Sequence, residues 1–193
     1  MSKAVYGDKV NLGNWQRVGQ PNIGSQGFLG QLYEKIINGN VLGYTYAFAG
    51  TQDLKADGVQ DLLQLIGLSA QYNQAYNKGI KLSNFFKNLS LTFTGHSLGG
   101  GLAALAALVT GRPAITFNAA SLSNATLEKY GVSDVSQNNI AAYSTPLDPL
   151  TIEQNWNPML NSAQGTHYTI PIYDITYKIW ENHMINTVIE GLK

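Results

Sequence analysis

Apolar positions along this chain gather into short dense runs separated by longer stretches of helical spacing, and that alternation predicts the order of its elements. Val41-Leu42-Gly43-Tyr44-Thr45-Tyr46-Ala47-Phe48-Ala49 is almost continuously apolar or β-branched and ends in Gly50-Thr51. Such a run fits a strand covered on both faces, as in a parallel sheet. Leu91 to Thr94, Ala114 to Asn118 and Asn139 to Ser144 repeat its character. Thr166 to Tyr173 alternates well enough for a last strand, with Pro171 placing it at an edge. Between these runs the spacing turns helical. Phe28, Leu29, Leu32, Tyr33, Ile36 and Ile37 predict a short amphipathic helix, stopped by Asn38-Gly39-Asn40. Val59 to Tyr76 gives a helical pattern broken near Gly67, and Leu82 to Phe86 extends it. Leu98 to Val109 has no polar residue and predicts a buried helix, ended by Gly111-Arg112-Pro113. A short helix from Ala125 to Tyr130 has either Ser123 or Asn124 as its N-cap and Gly131 as its stop. Met184 to Leu192 predicts a terminal helix, and residues 1–27 read as loop with a short helix anchored by Trp15. Strands alternating with helices make this an α/β fold with a mainly parallel central sheet flanked by helices, and one domain over 1–193.

Composition narrows the classes of function. With 12 basic and 12 acidic residues the formal net charge is zero, so the chain offers neither the basic stripe that nucleic acid requires nor a polybasic attraction to anionic lipid. Cysteine is absent, which excludes disulfides, thiol catalysis and cysteine-ligated metals. The N-terminus lacks the apolar core of a signal peptide, and no apolar run is long enough to span a bilayer. The chain reads as soluble, either cytoplasmic or exported without a cleaved leader.

The chemistry centres on Gly95-His96-Ser97-Leu98-Gly99. A strand pattern precedes it and a helix pattern follows, so Ser97 sits at the apex of a sharp turn of the G-x-S-x-G type that exposes a nucleophile. The strand before and the helix after crowd that turn, and glycine two residues to either side leaves room. A serine hydroxyl needs a base to take its proton and a third group to orient that base. Only three histidines exist. His96 packs beside the turn, His167 lies within the last predicted strand, and His183 sits on a loop ahead of the terminal helix. His183 is the expected base, with His167 the alternative. Asp148, after a predicted strand and between Ser97 and His183 in sequence, is the expected acid, with Asp134 and Asp174 in reserve. The backbone N–H of Leu98 and the Gly50-Thr51 turn, through Thr51, are the expected oxyanion donors.

These residues resemble the class 3 lipase family of the α/β-hydrolase superfamily, from about Gly27 to the C-terminus. Ala47-Phe48-Ala49-Gly50-Thr51 is similar to that family's strand ending in A-F-R-G-T, whose last residue helps form the oxyanion hole. Asp57-Gly58-Val59-Gln60-Asp61-Leu62 resembles its D-W-x-x-D-L, Thr94 to Gly100 matches T-G-H-S-L-G-G, and Leu147-Asp148-Pro149 resembles the segment bearing the acid. Ala49 stands where the family has arginine and Gly58 where it has tryptophan. The resemblance implies a compact α/β-hydrolase that cleaves carboxylic esters of lipids, acylglycerols or phospholipids, through an acyl-enzyme, with no cofactor and no metal. Its partners would be a lipid or other ester substrate and a transient contact with a lipid interface. A small-ester esterase or acyltransferase, and an inactive binding module, are the competing readings. Residues 52–70 are read equally as a lid or as a core helix.

Overall fold

The computed structural model describes residues 1–7, 11–50, 69–133, 139–171 and 179–192, and seven strands within them form a single sheet ordered β1 to β7 as in the chain. The strands are β1 Trp15–Ile23, β2 Leu29–Ile37, β3 Asn40–Phe48, β4 Leu91–His96, β5 Ala114–Phe117, β6 Ile140–Ser144 and β7 Thr166–Thr169. β1, β2 and β3 pair antiparallel, and every pairing from β3 to β7 is parallel. The helices are α1 Ser69–Phe85, α2 Leu98–Thr110, α3 Asn124–Lys129, α4 Pro149–Trp156, α5 Ile179–His183 and α6 Ile185–Gly191. This is the expected α/β architecture with a mainly parallel sheet.

Two expectations about the N-terminal third are corrected. The run expected as a helix from Phe28 to Ile37 is strand β2 from Leu29 onward, and Asn38-Gly39 is a hairpin turn, not a helix stop. Both turn residues take positive φ, 51° at Asn38 and 78° at Gly39, which is the primed turn that matches the twist of paired strands. Residues 15–23, expected as loop, are strand β1. Its register with β2 shifts between Val18 and Asn22, where Gly19 takes φ 66° and Pro21 removes a donor that an edge position can spare. In place of the expected short helix this region has two 3-10 turns, Ala4–Tyr6 and Ser25–Gly27.

Among the remaining elements β3 to β6, α2, α3 and α6 follow the hydrophobic pattern, whereas α4 and α5 lie where no helix is expected from it. Every residue of α2 from Leu98 to Leu108 is buried, as an all-apolar helix requires. It packs with α1 on one face of the sheet, where Phe48, Phe93, Tyr72, Leu102 and Leu105 form the main core. Leu102 and Leu105 are fully buried, each contributing on the order of 2 kcal/mol relative to exposure. On the other side a smaller core joins Val5, Tyr33, Ala47 and Ala49 to Trp15 and Leu12, so the N-terminal segment does cover one side, as expected. Ser123, not Asn124, is the N-cap of α3, its Oγ accepting from the Thr126 N–H at 3.1 Å. Among the described residues no helix is long and apolar enough to cross a membrane.

Candidate active site

The turn after β4 is as tight as its glycines require. A Cβ on Gly95 would lie 2.1 Å from the Gly99 carbonyl oxygen, and one on Gly99 would lie 2.4 Å from that of Phe48. Between them Ser97 is held at φ 58° and ψ −127°, a left-handed backbone that non-glycine residues adopt only where the surroundings over-determine it. It occupies the N-cap position of α2, yet its side chain makes no capping hydrogen bond. Its Oγ lies instead 3.0 Å from His183 Nε2.

His183 Nδ1 lies 2.6 Å from Asp148 Oδ1. A carboxylate accepts, so Nδ1 carries the proton and Nε2 is left bare to accept from the Ser97 hydroxyl. Asp148 Oδ2 accepts twice more, from the Thr151 N–H at 2.7 Å and the Thr151 hydroxyl at 2.6 Å. The carboxylate thus caps α4 with one oxygen and orients the imidazole with the other, and the positive end of the helix favours its charge. Asp148 thus holds the turn beside Pro149 and contacts the imidazole at the same time. All three side chains are withdrawn from solvent, at 1% exposure for Ser97 and 0% for both Asp148 and His183.

The structure therefore brings Ser97, Asp148 and His183 together. His183 is the last residue of α5, not part of a loop. His167 is exposed on edge strand β7, in register with Ala142. His96 packs beside the turn as expected, with its ring 5.0 Å from that of His183. Burial, and second the neighbouring His183, hold its imidazole down at about 3, so it is neutral. Thr51, Asp134, Asp174 and nearly all of the 52–70 stretch lie outside the described residues. Leu98 opens α2, and the first N–H groups of a helix have no intrahelical acceptor. The chain leading to Thr51 lies against this turn, since the Cβ missing from Gly99 would also meet Ala49 and Gly50 backbone at 2.7 and 2.8 Å. Gly50 is anchored there by donating its N–H to the Tyr6 hydroxyl at 2.6 Å, and burial holds that phenol up at about 12.

Four contributors escape a sequence reading. Tyr6 carries no local signal, and Thr151 is foreshadowed only by its place three residues after a helix-capping aspartate. Asn118 and Thr145 follow the last residues of β5 and β6 and join His96 in contacting the backbone of residues 182 and 183. Among the described residues no group of three or more His, Asp or Glu side chains could hold a metal. A cavity of about 770 Å³ lies over the sheet face carrying Thr92, Thr94 and Ile115, between the N-terminal segment and α6. None of Ser97, Asp148 and His183 lines it, so the chemistry here is located by hydrogen bonding rather than by volume.

Comparison with known proteins bears on the family and the fold. Residues 7–182 match a phospholipase-like family model, the Tle-like phospholipase domain. The extracellular phospholipase A1 of Serratia liquefaciens is 38% identical over 148 residues, covering 73% of this chain and 46% of that protein. The chain thus spans about half the length of the curated relative it matches. A triacylglycerol lipase from Penicillium expansum superposes with a TM-score of 0.57 at 17% identity, over 89% of this chain and 75% of that one. The Lip2 lipase of Yarrowia lipolytica gives 0.55 at 19% identity, over 82% and 66%. At such identities these two carry the fold alone, that of α/β-hydrolase lipases. The family match runs across nearly the whole sheet and reaches both Ser97 and Asp148, and on it the chain belongs to the Tle-like phospholipase domain family.

Proposed function

We propose that the chain is a serine hydrolase of the phospholipase A1 type, cleaving an acyl ester of a glycerophospholipid through Ser97, His183 and Asp148. The observation that carries this reading is the unbroken chain of hydrogen bonds from Asp148 Oδ1 through His183 to Ser97 Oγ, on a chain of this family. As Oγ attacks the ester carbonyl carbon, its proton passes to Nε2, and Asp148 stabilises the imidazolium that forms. The Leu98 N–H and Thr51 are the donors proposed for the developing oxyanion. Collapse of the tetrahedral species breaks the acyl–oxygen bond, and the imidazolium protonates the departing lysophospholipid alkoxide. Water then gives a proton to Nε2, attacks the acyl-serine and releases the fatty acid, returning the proton to Oγ.

A lipid substrate is favoured over a small soluble ester by the residues beside the reacting groups. Leu147 and Met184, immediate neighbours of Asp148 and His183, are 51% and 46% exposed. Leu147 also holds a φ of 58°, unfavourable for leucine. An aggregated lipid presents an apolar surface against which these two side chains can be buried. A relative named as extracellular makes the culture medium the first compartment in which to look for the protein.

The test is hydrolysis of phosphatidylcholine, monomeric and aggregated, by wild type and Ser97→Ala, with product analysis. Expected products are fatty acid and 2-acyl lysophospholipid, with a rate increase on aggregation and none of either from Ser97→Ala. Retained hydrolysis in Ser97→Ala would overturn the nucleophile, and equal rates on monomer and aggregate would favour a small-ester esterase.

A further inference from the structure

The C-terminal end of α5 raises a problem of accounting. A helix leaves its last carbonyls without intrahelical partners, and those of Asn182 and His183 belong to residues that are 0% exposed, so water does not reach them freely. Three buried side chains supply the donors. His96 Nε2 lies 2.6 Å from the His183 carbonyl oxygen, which can only accept, so the ring donates to it. Asn118 Nδ2 donates to the carbonyls of Asn182 and His183 at 3.1 and 3.2 Å. The Thr145 hydroxyl donates to the Asn182 carbonyl at 2.5 Å. The donors are themselves fixed, since the Thr145 N–H donates to Asn118 Oδ1 at 2.9 Å and the Asn118 N–H to the Tyr143 carbonyl at 2.8 Å.

The placement is systematic. His96 ends β4, while Asn118 and Thr145 directly follow the last residues of β5 and β6, so three adjacent parallel strands each send one polar side chain to this pair of carbonyls, His96 to that of His183, Thr145 to that of Asn182 and Asn118 to both. Asn118 turns there with φ 42°, a backbone that asparagine tolerates better than most residues. A Ser97–His183 pair with only single contacts to its surroundings would wander. Here the backbone of the base is bolted to the same sheet edge that carries the serine, one residue from it in the case of His96.

We propose that His96, Asn118 and Thr145 are positioning residues that bracket the backbone of His183, and so hold its imidazole in line with Ser97 Oγ during acyl transfer. The bracket rests on the reading of Ser97 and His183 given above. Its effect is on the rate of the chemical step, because a displacement of about 1 Å from productive geometry can cost on the order of 10²-fold. Ground-state binding of the ester does not pass through these groups.

The experiment measures kcat and KM separately on a monomeric p-nitrophenyl butyrate, with rates of fluorophosphonate labelling alongside. Ser97→Ala and His183→Ala come first. If either retains turnover, the serine reading itself fails, whatever the bracket does. With those inactive, His96→Leu and Asn118→Leu are expected to lower kcat and the labelling rate on the order of 10²-fold with KM little changed. His96→Gln, which keeps an N–H near the Nε2 position, is expected to recover most of the loss. Thr145→Val and Thr145→Ser repeat the comparison with a nearly isosteric change, so the answer survives if a leucine variant fails to fold. Unaltered kcat in Thr145→Val and in the folded leucine variants would overturn the bracket, as would a loss confined to KM or an equal loss in His96→Gln and His96→Leu.

Discussion

Replacing His96 by glutamine should make the protein more tolerant of acid. The His96 ring is buried and donates to a backbone carbonyl, and burial with the adjacent His183 holds its pKa at about 3 against 6.5 for an ordinary histidine. The unfolded chain therefore takes up a proton at this residue below pH 6.5 that the folded chain refuses until about pH 3. Because the folded value is depressed, the stability concerned is fully present above 6.5 and drains away as pH falls through that window. Each pH unit is worth about 1.4 kcal/mol, so the wild type loses roughly 2 kcal/mol at about pH 5 through this group alone. Glutamine keeps an N–H donor and cannot titrate. Near pH 7.5 the variant should be the less stable protein, having lost ring packing. Between about pH 7.5 and pH 5 the difference between the two should move in the variant's favour by about 2 kcal/mol, or about 4–8 °C in Tm for a chain of this size. Urea titrations of both proteins at the two pH values, with m-values checked for constancy, measure that difference of differences. A gap that stays constant with pH would show that His96 is protonated or solvated in the folded protein, and the neutral donor assigned to the ring would be refuted.

Further outcomes follow from other contacts. Ser123→Ala removes the cap of α3 and should cost about 1 kcal/mol in thermal unfolding while leaving kcat at its wild-type value. Gly95→Ala drives a Cβ to 2.1 Å from the Gly99 carbonyl oxygen, backbone against backbone, and should lower stability by about 1–3 kcal/mol and abolish fluorophosphonate labelling of Ser97. Asp148→Asn removes the charge that fixes the His183 tautomer and should depress kcat by about 10³- to 10⁴-fold with KM little changed. Thr51→Val keeps the backbone N–H of the Gly50-Thr51 turn, so kcat should change little, and a fall of about 10²- to 10³-fold with KM held would assign the donation to the hydroxyl instead.

What could be read from the sequence, and what could not, divides by the range of the interaction responsible. The turn at Ser97 was legible because its causes are local, with glycines where backbone crowds and an apolar helix directly behind. The pairing of Asp148 and His183 with Ser97 is legible through their order along the chain, although the helix end that carries His183 reads as a loop. β2 was misread because Phe28, Leu29, Leu32, Tyr33, Ile36 and Ile37 satisfy helical spacing, while the competing signal was the Asn38-Gly39 hairpin dipeptide. β1 is almost featureless as a pattern because most of it is exposed and it carries a register shift. The bracket could not be read at all. Asn118 contacts carbonyls 64 and 65 residues away, and no spacing rule encodes that.

Each member of the Ser97–His183–Asp148 set stands at a helix end, which explains how so short a chain fixes three side chains. Ser97 precedes α2, Asp148 caps α4 and His183 closes α5. Helix ends are where backbone groups lack partners, so each terminus has something to give or accept. At α2 the N–H of Leu98, the first residue of the helix, is the donor proposed for the oxyanion. At α4 the Thr151 N–H takes one oxygen of Asp148 and leaves the other for the base. At α5 the last carbonyls receive the donors of His96, Asn118 and Thr145. Local structure and chemistry therefore draw on the same unpaired backbone groups. A substitution that satisfies one of these ends by itself, such as a better cap at position 97, would stabilise the helix and remove the hydroxyl proposed as the nucleophile.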